Sequence, residues 1–282
     1  MKTNGTDKRA LVTGASSGIG AACVDRLAGS GWTVWATFRD LAQAAAATRG
    51  PVRGLVLDLD DPGSAGRMAD VFLRESGGGL DALVHAAGYV QPGLLEWIRP
   101  EDLRRQLEVN VVGAHAVTRA LLPGLRKAKG RVVWISSVSG RVSLPGIGAY
   151  AASKFALEAL ADAWRLELAD DGLRFTLVEP GPVETPIWDK ADRALEQVGV
   201  EADPAVLQAM RERLRESQSR AVPVGEAVDA VMRVLAASRP PARILLSREA
   251  WALRFLRILP DAWRDALVGY RYRTALIPVR KR

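Results

Sequence analysis

The sequence is poor in the side chains that thiol and metal chemistry require. Its 282 residues include one cysteine, Cys23, and two histidines, His85 and His115. A single cysteine excludes an internal disulfide, a C-x-x-C redox pair and a cysteine-built zinc site. Two well-separated histidines argue against a histidine-based triad or metal centre, so no metal is expected. No apolar run approaches the ~20 residues that span a bilayer, and residues 1–9 hold no apolar signal-peptide core. A reducing, cytoplasmic setting is therefore expected. Repeats and low-complexity linkers are also missing. Acid is in short supply: 39 Lys and Arg stand against 32 Asp and Glu, a formal charge of +7. Such a surplus can attract a nucleic acid, an anionic membrane surface or a phosphorylated cofactor. The basic residues form no long run except towards the C-terminus, so no nucleic-acid partner is expected.

What is present is ordinary for a globular chain, 48% hydrophobic and 25% charged, which excludes a fibre or a disordered tail. The length would permit two domains, but α/β folds often use about 250 residues as one unit. Short apolar, β-branched runs at 10–13, 33–38, 52–57, 82–85, 131–136, 175–178 and 243–246 read as strands. Between them, helix-period patterns occupy 19–30, 41–48, 66–75, 101–126, 149–170 and 224–237. This alternation predicts βαβ units: an α/β, Rossmann-type, doubly wound parallel sheet with helices on both faces. We expect a dinucleotide-binding and catalytic domain over 1–247, interrupted at about 185–220 by a charged, helix-patterned insertion that acts as a lid. A helical extension over 248–282, rich in Trp, Leu and Arg, should pack near the substrate site.

Two stretches carry chemistry. Thr13-Gly14-Ala15-Ser16-Ser17-Gly18-Ile19-Gly20 follows the first strand and opens a helix. Glycines there allow a tight turn, close approach to a pyrophosphate and close helix–strand packing, while the helix start offers free N–H groups. The second stretch is Tyr150-Ala151-Ala152-Ser153-Lys154, a phenol and an ammonium one helical turn apart on one face. An ammonium and an oxidised nicotinamide would both favour the phenolate and bring the tyrosine towards a useful acid–base range. Ser137, thirteen residues upstream at a strand end, can donate to a substrate oxygen beside the tyrosine. Ser136 and Ser139 compete for that role; the spacing to Tyr150 favours Ser137.

Together, the spacing G-x-x-x-G-x-G, the run Ile135-Ser136-Ser137-Val138-Ser139-Gly140, and Tyr150 with Lys154 resemble the compact branch of the short-chain dehydrogenase/reductase family. The resemblance spans about 8–246. It implies that Gly14, Ser16, Ser17, Gly18, Ile19 and Gly20 hold the cofactor. The position that is acidic in NAD-preferring members is Phe38 here, followed by Arg39, whose guanidinium suits a 2′-phosphate; NADP(H) is thus favoured, unless Asp40 reaches the ribose instead. Asp58, with Leu59, matches the residue that contacts the adenine amine, and a local turn role is compatible with that. Asn110 matches the asparagine that holds a proton-relay water, against a plainer reading as a kink in a helix. Pro180, Gly181, Val183 and Thr185 match the turn that meets the nicotinamide carboxamide. The family's Asn-Asn-Ala-Gly is His85-Ala86-Ala87-Gly88 here. Ala86, Ala87 and Gly88 still suit close approach to the cofactor, but the asparagine amides must be replaced by other support, and His85 reads as a packed sheet residue.

The resemblance implies an NADP(H)-dependent oxidoreductase that interconverts a carbonyl and an alcohol, with Asn110, Ser137, Tyr150 and Lys154 as catalytic residues. Tyr89, Val90, Leu144, Ile147, Trp188 and the insertion over 189–219 are expected in the pocket wall, which favours a small hydrophobic substrate. The tail and the turn around Phe38 are similar to hydroxysteroid- and retinol-type members. Two alternatives remain at this level: a 3-oxoacyl-thioester reductase, and a catalytically silent cofactor-binding regulator or scaffold. The tail can cover the pocket, touch a membrane surface or contact a subunit. The family resemblance also implies a homodimer or homotetramer through 101–126 and 149–170.

Overall fold

A computed structural model describes residues 8–198, 203–247, 252, 255–256 and 258–276. Short, largely apolar runs, buried on both sides in the inner strands and partly exposed in the two edge strands β3 and β7, form seven strands: β1 (Arg9–Thr13), β2 (Thr33–Phe38), β3 (Val52–Val56), β4 (Ala82–His85), β5 (Arg131–Ile135), β6 (Arg174–Pro180) and β7 (Arg243–Leu246). They lie in the order β3-β2-β1-β4-β5-β6-β7, with every neighbouring pair parallel. Parallel neighbours need crossovers. The helices are α1 (Gly18–Gly29), α2 (Leu41–Ala47), α3 (Ser64–Glu75), α4 (Pro100–Leu107), α5 (Gly113–Ala128), α6 (Gly148–Glu167), α7 (Ile187–Val198), α8 (Pro204–Ser219), α9 (Val224–Ala236) and α10 (Asp261–Leu276).

Successive side chains of a strand point to opposite faces. Leu11, Trp134 and Leu177 therefore meet Phe72, Val117, Leu121 and Leu157 from α3, α5 and α6. On the other face, Val12, Val133 and Val178 meet Cys23 and Leu27 of α1 and Val228 and Val231 of α9. Each such aliphatic side chain contributes about 1.5–3 kcal/mol by leaving water. Cys23 belongs to this core, and burial pushes its thiol up to about 12, which leaves it inert as a nucleophile. The fold is a single doubly wound domain. Among the described residues no helix is long and apolar enough to cross a membrane.

Two stretches differ from the helical pattern in the sequence. Residues 101–126 form α4, a turn of π-helix (Glu108–Val112) and α5 rather than one helix. The π turn contains Asn110, which is buried and bonded on both sides of its amide: Nδ2 donates to Tyr89 O (3.1 Å) and Ser153 Oγ (3.0 Å), and Oδ1 accepts from Tyr89 N (3.1 Å). The insertion after β6 forms α7 and α8, with residues 199–202 outside the described set. It has a small core of its own, in which Leu195, Val206 and Met210 pack with Leu94 and Trp97 from the segment after β4. Its base is pinned where Val183 pairs with Val222 and Trp188 Nε1 donates to Val183 O at 2.8 Å. In the tail α10 packs on α8; Trp251, Leu253, Arg254 and Arg257 lie outside the described residues.

Candidate active site

The strand order reverses direction between β1 and β4, and a crevice opens beyond the carboxyl ends of strands at such a point. Here a cavity of about 1100 Å³ lies there. One wall is the glycine turn and the other the Ala86-Ala87-Gly88 turn. They touch: a Cβ on Gly14, whose φ is +70°, would lie 2.7 Å from Ala87 Cα. The support that the missing asparagines would give comes from Thr13, whose hydroxyl oxygen accepts from Ala86 N and Ala87 N at 3.2 Å each. His85 donates or accepts at Thr118 Oγ1 (2.9 Å) and meets Trp134 edge-on. Burial pulls its pKa down to about 3, so it is a neutral sheet residue.

Gly14, Ser16, Ser17, Gly18 and Ile19 line the cavity, as do Arg39, Asp58, Leu59, Ala86, Ala87, Gly88, Pro180, Gly181, Val183 and Thr185. Gly20 does not. Its place is beneath the turn, where a Cβ would come within 2.2 Å of Gly14 O, so its contribution is close helix–strand packing and not a cofactor contact. No side chain caps α1, which leaves its first N–H groups facing the cavity beside the turn; this cradle fits a pyrophosphate. Arg39 is exposed at the cavity edge. Asp40 is outside the cavity lining and caps α2 by accepting from Gln43 N at 2.8 Å. The Asp40-x-x-Gln43 spacing is a readable helix-start signal that would have removed Asp40 from contention. Asp58 both lines the cavity and accepts from Asp60 N at 3.1 Å.

At the other end of the same cavity, the β5 terminus and the start of α6 bring Ser137, Tyr150 and Lys154 together. Of the three candidate serines, Ser137 is the one whose side chain acts on the Tyr150 phenol, pulling its pKa down. Its Oγ also accepts from Ser139 N (3.1 Å) and so caps the short 3-10 turn Val138–Gly140. Ser136 Oγ is buried without a hydrogen-bond partner. Lys154 Nζ lies 5.6 Å from the Tyr150 ring centre and donates to Ile135 O at 2.8 Å. Tyr150 keeps some exposed surface, yet protein atoms surround its phenol closely enough that desolvation pushes the pKa up to about 12, against the pull of Ser137. Burial takes Lys154 down to about 8, with the charge of Glu158 acting the other way. In the protein alone, desolvation thus outweighs the lowering of the phenol expected from its lysine neighbour. Asn110 does not line the cavity; it ties the segment after β4 to α6 from behind.

Leu144 and Trp188 line the substrate end, with Tyr89, Val90 and Ile147. Leu214 of α8, in the insertion, and Phe255, Leu256, Leu267 and Val268 of the tail complete an apolar wall; the sequence pointed to these two segments but not to Leu267 and Val268 individually. Lys190 of α7 was also missed; its Nζ reaches within 3.5 Å of Ser17 Oγ on the glycine turn. These contacts join parts of the chain that no local spacing relates.

A family model described as short chain dehydrogenase matches residues 8–196. An uncharacterized oxidoreductase of Escherichia coli, YbbO, is 35% identical over 263 residues, 93% of this chain and 94% of that protein. The NADPH-dependent 3-dehydrocapnine reductase of Ornithobacterium rhinotracheale is 30% identical over 92% of this chain and 95% of its own length. The rat 17-beta-hydroxysteroid dehydrogenase type 6 is 34% identical over 75% of this chain and 66% of its own. Among solved structures, a short-chain dehydrogenase/reductase of Burkholderia phymatum in complex with NAD covers 95% of this chain and 97% of its own, with a TM-score of 0.78 and 25% identity. One from Burkholderia cenocepacia in complex with NADP covers 96% and 98%, with a TM-score of 0.68 and 25% identity. A sheet that reverses at a glycine turn, a match running from β1 into α7, and relatives aligned along nearly the full chain place this protein in the short-chain dehydrogenase family of oxidoreductases.

Proposed function

We propose that the protein is an NADP(H)-dependent oxidoreductase that interconverts a carbonyl and an alcohol on a small hydrophobic substrate. The observation that carries this reading is one continuous cavity, with a dinucleotide cradle at one end and Ser137, Tyr150 and Lys154 gathered at the other. When bound, the nicotinamide supplies or accepts the hydride. In the reductive direction Tyr150 gives its phenolic proton to the carbonyl oxygen, a transfer that its raised pKa leaves it fully protonated to make. Ser137 donates to the same oxygen and stabilises its developing charge. Lys154 spends one N–H on Ile135 O and has two left to grip the ribose and pass a proton inward. Asn110, whose amide is engaged by Tyr89 and Ser153, supports the wall behind α6 and not the reacting atoms.

NADP(H) is supported by Arg39 at the cavity edge and by the engagement of Asp40 as a helix cap. The similar 3-dehydrocapnine reductase is NADPH-dependent by name, while similar solved structures hold NADP in one case and NAD in another. The apolar wall from Leu144 to Val268 supports a hydrophobic substrate. A homodimer or homotetramer through 101–126 and 149–170 belongs to the same proposal, supported by the exposed Val112, Phe155 and Leu166 in those stretches.

Tyr150→Phe tests the central assignment. NADPH oxidation over a panel of aldehydes and ketones should fall by ~10²-fold or more, the usual worth of a positioned acid, while NADPH binding by fluorescence is kept. Undiminished turnover would remove Tyr150 from the mechanism.

A further inference from the structure

The active-site lysine stands at one end of a row of charges that the reaction above does not use. Glu158 follows Lys154 by four residues on α6, which places it one turn along the same face. Both are buried, at 6% exposure for Lys154 and 8% for Glu158. Glu158 Oε2 accepts from Arg243 Nε of β7 at 2.9 Å, and Oε1 is buried with no hydrogen-bond partner among the described residues. Arg243 also donates to Asp162 Oδ2 at 2.7 Å and lies 3.4 Å from Glu179 Oε1. Glu179, fully buried at the end of β6, is held by Arg141 through bonds of 2.8 and 2.5 Å. Arg141 follows directly on the 3-10 turn that Ser137 caps. That turn presses on Glu158: a Cβ on Gly140 would lie 3.1 Å from Glu158 Cγ.

The charges around Lys154 are thus Glu158, Asp162 and Arg165 on its own helix, Glu179 on β6, Arg243 on β7 and Arg141 beyond β5. Asp162 is shared between Arg165 and Arg243, and Glu179 is taken by Arg141. Glu158 is the carboxylate with an oxygen to spare. Its charge acts on Lys154 against the desolvation that favours the neutral amine. Burying a carboxylate with an unpartnered oxygen is costly, and a better-satisfied group would serve the fold alone.

We propose that Glu158, fixed by Arg243, is a positioning residue of the hydride-transfer site that keeps the Lys154 side chain charged beside Tyr150. The proposal rests on the oxidoreductase reading for the meaning of that charge, but its physical content can be measured without turnover. In the full chain with isotope-labelled lysine, the titration of the Lys154 amine is followed by NMR, with Lys154→Arg identifying its signal. Glu158→Gln should lower the midpoint by about one unit, a tenfold change in proton affinity. Arg243→Gln should raise it, because a repelling cation is gone and the Glu158 charge is no longer shared. A role in stability alone predicts no such opposition. The alkaline limb of kcat/KM for NADPH-driven carbonyl reduction should move with each midpoint.

A midpoint that stays in place, or moves the same way in both variants, overturns the proposal. If Glu158→Gln fails to fold, a rise in Arg243→Gln still supports the proposal and its absence sinks it. A wild-type enzyme that oxidises NADPH over no carbonyl defeats the oxidoreductase reading, while the NMR titration still decides whether Glu158 controls the lysine.

Discussion

His85 occupies a position at which the sequence departs from its family, and its surroundings set a pH dependence. Its folded pKa of about 3 lies below the ordinary value of about 6.5. The stability tied to the neutral ring is therefore present above pH ~6.5 and drains away as pH falls towards 3. At pH 5 the loss is ~2 kcal/mol. His85→Asn, which restores the family's residue type, should lower Tm less between pH 7 and pH 5 than wild type; an equal fall in both assigns the acid sensitivity elsewhere. Arg39 is the second residue with a sharp consequence. Arg39→Ala should raise KM for NADPH by ~10-fold or more, the worth of a charge-assisted bond to phosphate, and leave KM for NADH nearly unchanged. Equal effects on both would place the 2′-phosphate elsewhere. At this scale the sequence was most legible where chemistry is local. The Tyr150-x-x-x-Lys154 spacing and the glycine turn name their own residues. Thr13 did not, because its hydroxyl acts on Ala86 and Ala87 more than seventy positions away.

Among the elements, the strands were readable to within about two residues at each end, because parallel strands covered on both faces must be continuously apolar. The run at 101–126 was not, since an amphipathic period continues through α4, the π turn and α5 and one inserted residue leaves no compositional mark. The partners of Arg243, Glu158 and Asp162, are 85 and 81 residues away, so only the i,i+4 relation of Lys154 to Glu158 was visible in advance. For the tail, the placing of Phe255, Leu256, Leu267 and Val268 on the cavity wall favours a cover over the other roles its composition allows. A chain ending at Ser247 should retain NADPH binding, but its KM for apolar carbonyls should rise by ~10-fold, about the worth of one buried side chain. An unchanged KM would free the tail for a membrane or subunit role, which liposome sedimentation of the full chain would then separate.

For the molecule as a whole, the sheet and the crevice follow from one rule of α/β architecture, and the placing of the α7–α8 insertion follows from packing that the rule does not contain. Leu195 and Met210 meet Trp97 only because the segment after β4 and the insertion after β6 rise from the same rim. The strand order has another consequence, in the assembly of the chain. β1 precedes β4 by some seventy residues in the chain yet finishes between β2 and β4, so its second neighbour does not exist until synthesis has passed His85. Until then an aliphatic strand waits with an open flank, a template for any other nascent chain. Truncation before β4 should therefore yield aggregates and not small folded fragments.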